Sequence, residues 1–183
     1  MSVAYGFVVG DEIEIRPLLD TEYAAVGDAT ASAYREYWTP DAPGWEAYLA
    51  RIADIASRAE RAVVLVAVDR GTIAGSVTLE LEERISPGPA EPLAPDEAHI
   101  RMLGVSPDHR GRGIARRLMG ASIDMARRHG KRFMTLDTGR EMTAAQQLYR
   151  ELGFESTGPQ QRPGGPLLLG YKLDLDSETP ATR

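Results

Sequence analysis

Two hydrophobic periodicities divide the chain into strands and helices. Residues 12–19 alternate apolar and charged side chains up to Pro17, and residues 62–68 form a β-branched run, so both predict strands. Small or apolar residues recur three or four positions apart over residues 113–129, which predicts a helix with one buried face. The same patterns predict further strands at residues 72–82, 97–105, 132–138, from 154 onward and at 167–173, and further helices at residues 21–36, 44–60 and 142–152.

The order of these elements, β-αα-β-β-β-α-β-α-β-β, indicates a mixed α/β (α+β) fold with one central sheet. The turn at residues 69–71 predicts a hairpin between the second and third strands. Residues 83–96 hold four prolines and one glycine, which predicts a loop rather than a linker between domains. We therefore expect one domain over residues 1–183, with a frayed tail at residues 174–183.

Charge and cysteine content exclude several classes of protein. The 27 acidic and 21 basic side chains give a net charge of −6, which argues against nucleic-acid and anionic membrane partners. No apolar run approaches the ~20 residues of a membrane span, and the start of the chain lacks the pattern of a secretory signal. Without cysteine there is no disulfide, thiolate nucleophile or Cys-ligated zinc. The absence of cysteine also fits a cytoplasmic protein.

Residues 109–117, HRGRGIARR, form the segment in which chemistry is most evident. Gly111 and Gly113 allow a tight turn and a close approach of the backbone to a ligand. The first turn of the helix that follows has unpaired N–H groups, which together with the helix dipole favour an anion such as phosphate. Four arginines within eight residues of an acidic chain indicate a specific anionic ligand. A solvated basic helix start with two turn glycines has the same pattern, so the residues alone leave both interpretations open.

A dinucleotide-binding fingerprint, G-x-G-x-x-G, is one alternative for this turn. Asp137 ends the next predicted strand, roughly where a ribose ligand is expected, but Arg116 stands at the third glycine position. The unit of strand, turn and helix that carries the fingerprint normally opens its domain, whereas three predicted strands and two helices precede that unit here. No G-K-[ST] follows, so the turn is not a P-loop. A nucleotide-binding domain nevertheless stays as a rival hypothesis.

Three segments together resemble the GNAT superfamily of acyl-CoA-dependent N-acyltransferases. Residues 110–115, RGRGIA, match its R/Q-x-x-G-x-G/A signature, and residues 99–110, HIRMLGVSPDHR, resemble its fourth strand. Residues 144–156, AAQQLYRELGFES, resemble its A-x-x-L-Y-x-x-x-G-F helix and strand. The resemblance covers residues 97–157, and the N-terminal half matches in element order alone. It implies a GNAT-like domain that transfers the acetyl group of acetyl-CoA to a primary amine, without a metal.

The resemblance also implies how acetyl-CoA is held. Its pyrophosphate would lie on the backbone N–H groups of residues 110–115, and nearby guanidinium groups would reach phosphate oxygens. The backbone of residues 103–105 would pair with the pantetheine arm and hold the thioester carbonyl. The chain departs from the family at Met142, where many members carry an Asn that contacts the cofactor. The implied cofactor-binding residues are Leu103, Gly104, Val105, Arg110, Gly111, Arg112, Gly113, Ile114, Ala115, Arg116 and Thr138.

Tyr149 and His99 are the predicted proton-handling residues. Tyr149 matches the tyrosine of the family motif, and its phenol can donate a proton to the leaving thiolate; packing on the apolar helix face is the alternative. His99 lies where family members often carry Glu or His, and an ordinary pKa of about 6.5 suits a base near neutrality. Strand alternation puts Glu97 on the same face, so it can tune or replace His99. A buried histidine satisfied by a neighbour, or an ordered water acting as base, are the alternatives.

The acceptor amine is the least defined part of the prediction, since a small molecule and a peptide both fit. Aromatic side chains in the two-helix region border the acceptor pocket on the family pattern, or pack between the helices. The acidic balance favours a cationic acceptor, which Glu80, Glu82 and Glu83 can attract if they are not simply solvated. The aromatic side chains are Tyr34, Tyr37, Trp38, Trp45 and Tyr48.

A non-catalytic acyl-CoA-binding sensor is the alternative function. It would keep Arg110, Gly111 and Gly113 but would need neither Tyr149 nor His99. Such folds often form a homodimer, but no heptad or apolar stripe in the sequence identifies a dimer surface.

Overall fold

One mixed sheet carries the fold. The computed structural model describes residues 13–37, 44–84, 91–161 and 167–177. The strands are β1 (Ile13–Pro17), β2 (Val63–Asp69), β3 (Thr72–Glu80), β4 (Glu83–Arg84), β5 (Glu91–Pro92), β6 (Glu97–Val105), β7 (Phe133–Thr138), β8 (Glu155–Gln161) and β9 (Leu167–Asp174). The helices are α1 (Tyr23–Tyr34), α2 (Trp45–Ala53), α3 (Ile55–Ala59), α4 (Ile114–Arg128) and α5 (Thr143–Glu151). Within the described ranges, seven strands pair in the order β1-β2-β3-β6-β7-β9-β8, which confirms the predicted mixed α/β fold.

The β2–β3 hairpin forms as its turn residues predict. Arg70 and Gly71 have φ values of 49° and 82°, and a two-residue turn with both residues in the left-handed region matches the twist of antiparallel strands. The turn brings Asp69 opposite Thr72. In the middle of the sheet order, β6 and β7 run parallel to each other.

Helices cover both faces of the sheet, which explains the unbroken apolar run in β2. Leu65 and Ala67 belong to the core on the face of α4 and α5. Val64, Val66 and Val68 pack on the opposite face with residues of α1 and α3. A strand that is buried on both faces is apolar at every position. None of the helices in the described ranges is long and apolar enough to cross a membrane.

The single helix predicted over residues 44–60 is two helices, because Asp54 interrupts it. The backbone of Asp54 leaves the helical region, with φ −75° and ψ 80°. Its carboxylate accepts hydrogen bonds from the backbone N–H of Ser57 at 3.1 Å and from the Ser57 hydroxyl at 2.6 Å. An N-terminal cap of this kind starts a new helix, so α3 begins directly after α2 ends.

Two further predictions need correction. The predicted loop at residues 83–96 contains the short β4–β5 ladder, in which Glu83 pairs with Pro92; residues 85–90 lie outside the described residues. The frayed tail is wrong for its first two residues, since Asp174 belongs to β9 and Leu175 is buried. The Leu175 N–H donates to the Arg132 carbonyl at 2.7 Å. Residues 178–183 lie outside the described residues.

Candidate functional site

The parallel strands β6 and β7 part before either of them ends. Their pairing stops at Ile100 and Leu136, yet β6 continues to Val105 and β7 to Thr138. Along residues 101–105, therefore, no described strand pairs with the edge of β6 that faces β7. Backbone N–H and C=O groups on such an edge can bind an extended ligand as an added strand. We call this opening the strand fork; it brings the predicted residues 103–105 and Thr138 to one place.

A β-bulge in β6 sets which side chains face each way at the strand fork. Between the pairs Gly75–Val105 and Glu80–His99, β6 holds one residue more than β3. Met102 takes up the extra residue with φ 54°. A bulge reverses the alternation of side chains beyond it, so Gly104 faces α1. A Cβ on Gly104 would lie 3.0 Å from the Cβ of Ala33, and the glycine therefore allows close packing of helix and strand.

The turn at residues 110–115, here called the glycine turn, leaves the start of α4 open to a ligand. Gly111 and Gly113 have φ values of 74° and 72°, a conformation that residues with a Cβ rarely adopt. A Cβ at either position would meet no heavy atom within 4 Å, so the space before the backbone is open. Gly113 is the N-cap of α4, and no side chain caps this helix end. The first N–H groups of α4 are thus available to an anionic ligand.

The arginines of the glycine turn fasten it to neighbouring elements. Arg110 donates to the carboxylate of Glu36 at 2.7 Å, to the Ala33 carbonyl at 3.2 Å and to the Val105 carbonyl at 3.3 Å. Arg112 donates to the Asp69 carboxylate on β2. This hydrogen bond holds the pKa of Asp69 below its usual range. These two guanidinium groups position the backbone, so their predicted contact with phosphate stays a prediction.

Arg116 differs from the other two because its partner lies at the surface. Its guanidinium donates to Glu151 of α5, and both side chains are 44% exposed. An exposed ion pair is weak and exchanges its partners easily. Its predicted contact with phosphate likewise stays a prediction.

Tyr149 is buried beside the strand fork. Its ring lies between those of Phe154 and Tyr171, at centroid distances of 5.9 and 5.8 Å. Burial raises the pKa of Tyr149, with Tyr37 adding to the effect, and Tyr149 in turn raises the pKa of Tyr34. The Tyr34 hydroxyl donates to the Leu103 carbonyl at 3.2 Å. Tyr149 thus packs as an aromatic residue and also lies near the predicted thioester position, while no described residue forms a hydrogen bond with its hydroxyl.

A chain of hydrogen bonds joins the two predicted base residues through Thr135. The Thr135 hydroxyl donates to Glu97 at 2.7 Å, and His99 Nδ1 lies 2.9 Å from the same hydroxyl oxygen. A hydroxyl has one proton, and an ionised Glu97 can only accept it. His99 Nδ1 therefore donates to Thr135, and a neutral His99 carries its lone pair on Nε2. Arg84 pairs with the Glu97 carboxylate at 3.0 Å.

A second polar group, which we call the arginine cluster, consists of Arg58 on α3, Arg101 on β6 and Glu80 on β3. Glu80 is fully buried, and Arg101 contacts it at 3.4 Å. The prediction that Glu80 is solvated or attracts a cationic amine is therefore wrong, since an arginine already covers it. Arg58 is only 5% exposed, and its guanidinium donates to the Ile52 carbonyl at 2.7 Å.

Aromatic side chains of the two-helix region lie near the arginine cluster and pack on one another, and their place at an acceptor pocket stays a prediction. The Tyr34 and Tyr48 rings lie 6.3 Å apart, and the Trp45 and Tyr48 rings 5.2 Å apart. Burial raises the pKa of Tyr34 and Tyr48. Trp38 lies outside the described residues.

Sequence reasoning did not identify Thr135, Arg58 or Gln146. Gln146 is buried, and its amide donates to the carbonyls of Gly139 and Arg140 at 3.0 Å each, which fixes the connection from β7 to α5. The polar position of Thr135 between the buried apolar Met134 and Leu136 was a signal that could have been used. Arg58 gave no such signal, because an arginine in a surface helix normally faces solvent.

The chain matches the model of the Acetyltransferase (GNAT) family over residues 28–154. It is 35% identical over 127 residues, 64% of this chain, to a mycothiol acetyltransferase of Cellulomonas flavigena. It is 38% identical over 68 residues, 37% of this chain, to an N-alpha-acetyltransferase RimI of Mycobacterium tuberculosis. The matches span only 35% and 41% of these two relatives.

Solved structures share the fold over nearly the whole chain. The ribosomal-protein-S18-alanine N-acetyltransferase of Escherichia coli superposes with a TM-score of 0.67 at 19% identity, over 94% of this chain and 99% of that chain. The yncA structure from Salmonella typhimurium, determined with its cofactor acetyl-CoA, has a TM-score of 0.64 at 23% identity, over 93% and 98% of the two chains. The family match, the strand fork and the glycine turn agree: this chain belongs to the GNAT acetyltransferase family.

Proposed function

We propose that this chain transfers the acetyl group of acetyl-CoA directly to a primary amine of a small molecule or a peptide. The observation that carries the proposal is the meeting of three features along β6: an open anion-binding turn, an unpaired strand edge and two proton-handling side chains. The names of the relatives support the reaction class, and the neighbouring structure that contains acetyl-CoA supports the acyl donor. A cytoplasmic location and homodimer formation stay predictions.

The residues present fit acetyl-CoA on structural grounds. The uncapped start of α4 and the open space at Gly111 and Gly113 suit a pyrophosphate. The free edge of residues 103–105 suits the two amide groups of a pantetheine arm, which would hydrogen-bond there as an added strand does. When bound, acetyl-CoA supplies an acetyl group that is activated as a thioester. Thr138, at the end of β7, would line the other side of the strand fork.

His99 acts as the base in this proposal. Attack forms a bond between the amine nitrogen and the acetyl carbon while the carbon–sulfur bond breaks, and the proton that the amine loses goes to His99 Nε2. Thr135 and Glu97 hold the ring with Nδ1–H donating, which leaves the lone pair on the nitrogen that must accept the proton. Thr135 is thus a positioning residue for the base.

Tyr149 acts at the leaving sulfur. Because burial raises its pKa, the phenol stays protonated throughout the neutral range and presents an O–H to the departing thiolate. No described residue engages this hydroxyl, so its hydrogen bond is available for the sulfur. Protons taken up by His99 and given up by Tyr149 balance over one turnover.

Calorimetric titration with acetyl-CoA, followed by a free-thiol assay over a panel of amines, tests the proposal. We expect acetyl-CoA to bind and at least one amine to release thiol. Binding without thiol release from any amine would favour the sensor and remove the roles given to Tyr149 and His99. Binding of a nicotinamide cofactor but not of acetyl-CoA would favour the nucleotide-binding alternative.

A further inference from the structure

Arg58 is a buried cation that forms no ion pair with a described residue. Its side chain is carried by α3, and the residue is 5% exposed. One guanidinium nitrogen donates to the carbonyls of Ile52 and Arg51, at 2.7 and 3.3 Å. Its Nε is buried without a hydrogen-bond partner, and Arg58 forms no ion pair with any described residue. A buried charge is normally paired, so this one requires an explanation.

Arg58 has a second guanidinium group, that of Arg101, in its surroundings. Burial and repulsion by Arg101 lower the pKa of Arg58 to about 10, although Asp54, which caps α3, acts in the opposite direction. Arg58 therefore stays charged at neutral pH. Glu80 is fully buried against Arg101, whose side chain is 20% exposed. Arg101 is therefore the most exposed member of the arginine cluster, and a ligand from solvent would reach its guanidinium before that of Arg58.

We propose that Arg58 and Arg101 bind a carboxylate of the acceptor, so that the enzyme selects small primary amines that also carry a carboxylate. The inference rests on the proposed function and names its substrate class. A carboxylate accepts the paired N–H groups of a guanidinium, and its single negative charge matches the charge of Arg58, which is in no ion pair with a described residue. A phosphate monoester, with a charge near −2, would exceed it.

The spacing along β6 supports a short acceptor. His99 and Arg101 are two residues apart on one strand face, a separation of about 7 Å. An amine placed at His99 Nε2 then has its carboxylate at Arg101 and Arg58 if only a few bonds separate the two groups. The prediction of a cationic acceptor from the net charge of −6 is thereby replaced by a zwitterionic one.

The inference is tested with pairs of ligands that differ in the carboxylate, compared both as substrates and in binding without turnover. Glycine, β-alanine, 4-aminobutyrate and the common L-amino acids are each compared with their amides, which keep the amine and lose the negative charge. Thiol release with acetyl-CoA gives kcat/KM, and ligand-observed NMR on protein saturated with coenzyme A gives binding without turnover. We expect at least one acid to exceed its amide tenfold or more in both measurements.

Arg58→Met should abolish the preference for the acid, Arg58→Lys should keep part of it, and the affinity for acetyl-CoA should not change. Arg61→Met is the matched control, because Arg61 is an exposed arginine paired with Glu83 and its loss should leave the preference intact. A thermal melt of each variant identifies any that fails to fold, and Arg58→Lys then carries the test.

The outcomes separate the two proposals. If amines release thiol but acids and amides react and bind alike, or if O-phosphoethanolamine outperforms the acids, the carboxylate site is wrong and the acetyltransferase stands. If acids bind through Arg58 without thiol release, the site stands and the proposed function fails. If neither binding nor release occurs with any pair, both are wrong.

Discussion

The glycine turn and the arginine cluster both adjoin β6, yet they differ in what they offer a ligand. The glycine turn presents backbone N–H groups from consecutive residues, and its glycines leave the space before them open. Its side chains point to protein partners such as Glu36 and Asp69. The arginine cluster presents side chains alone, and these come from β3, β6 and α3 and are largely buried.

This difference matches the ligands that each region would bind. A group common to all acyl-CoA donors can be held by backbone geometry, which a short run of residues encodes. An acceptor that varies between enzymes needs side chains that can change one at a time. A cofactor site at the glycine turn would therefore leave a motif in the sequence, while an acceptor site at the arginine cluster would leave scattered residues without a pattern.

The largest expected effect comes from removal of the Tyr149 hydroxyl, which should slow the chemical step without weakening cofactor binding. We expect Tyr149→Phe to lower kcat about 100-fold, the scale of a lost acid catalyst, because the leaving sulfur loses its proton donor. The affinity for acetyl-CoA should stay nearly the same, since the glycine turn is untouched. Thiol-release assays measure kcat, and calorimetry measures the affinity for acetyl-CoA. Tyr171→Phe is the control, as Tyr171 is a buried ring 5.8 Å from Tyr149. An unchanged kcat for Tyr149→Phe would remove its assigned role.

A side chain at Gly113 should have the converse effect: weaker cofactor binding without a slower chemical step. Gly113→Val forces a β-branched residue to adopt φ 72° and fills the space before the backbone, so we expect acetyl-CoA to bind about tenfold to a hundredfold more weakly. Once acetyl-CoA saturates the enzyme, kcat should recover. Gly120→Ala is the control, because Gly120 lies within α4 and a Cβ there meets no atom within 4 Å. Equal affinities for Gly113→Val and wild type would show that the turn does not bind the cofactor.

Loss of the Thr135 hydroxyl should have a smaller effect on catalysis. Thr135→Val leaves His99 Nδ1 without its acceptor and Glu97 without a donor, so we expect kcat to fall about tenfold, as for one lost buried hydrogen bond. Thr135→Ser keeps the hydroxyl and should restore most of kcat, which a purely structural role for the methyl group would not allow. Steady-state kinetics on both variants decides the matter. A serine variant as slow as the valine variant would contradict the role in positioning His99.

The smallest expected effect is on thermal stability at low pH, and it comes from the Arg112–Asp69 ion pair that anchors the glycine turn. Since Arg112 holds the pKa of Asp69 below its ordinary value of 3.8, the ion pair stabilises the fold fully above that value. The contribution is lost as the pH falls through the lower folded pKa. The difference in melting temperature between wild type and Asp69→Asn should be present at pH 6 and shrink as the pH is lowered below 3.8. Asp108→Asn, at an exposed position in the same segment, should show no such difference, and a pH-independent gap for Asp69→Asn would contradict the prediction.

Local patterns were sufficient for elements whose ends are marked by their own residues. Glycines with positive φ flank α4, Gly113 before it and Gly130 after it, so the helix was predicted to within one residue at each end. The prediction of β6 matched both of its ends. The glycine turn was identified for the same reason, because its shape depends on adjacent residues.

The sequence could not reveal features that depend on partners far along the chain. Thr135 meets His99 only because β6 and β7 align in parallel with a particular register, which no local pattern encodes. Arg58 is buried because the cap formed by Asp54 starts a new helix between α2 and the sheet. The interpretation of 44–60 as one helix therefore also missed the arginine cluster.

Because of the bulge at Met102, the number of residues in β6 matters for the site as much as their identities do. His99 and Arg101 precede the bulge, and Gly104 follows it and packs against α1. Deletion of one residue at the bulge would turn all side chains on one side of the deletion to the opposite face of the sheet. If the side chains before the bulge turned, the proposed base would no longer face the acceptor. If those after it turned, a leucine or valine side chain would be pressed into α1. Sequence change in this strand is therefore confined to substitutions, and gaps in alignments of relatives should avoid it.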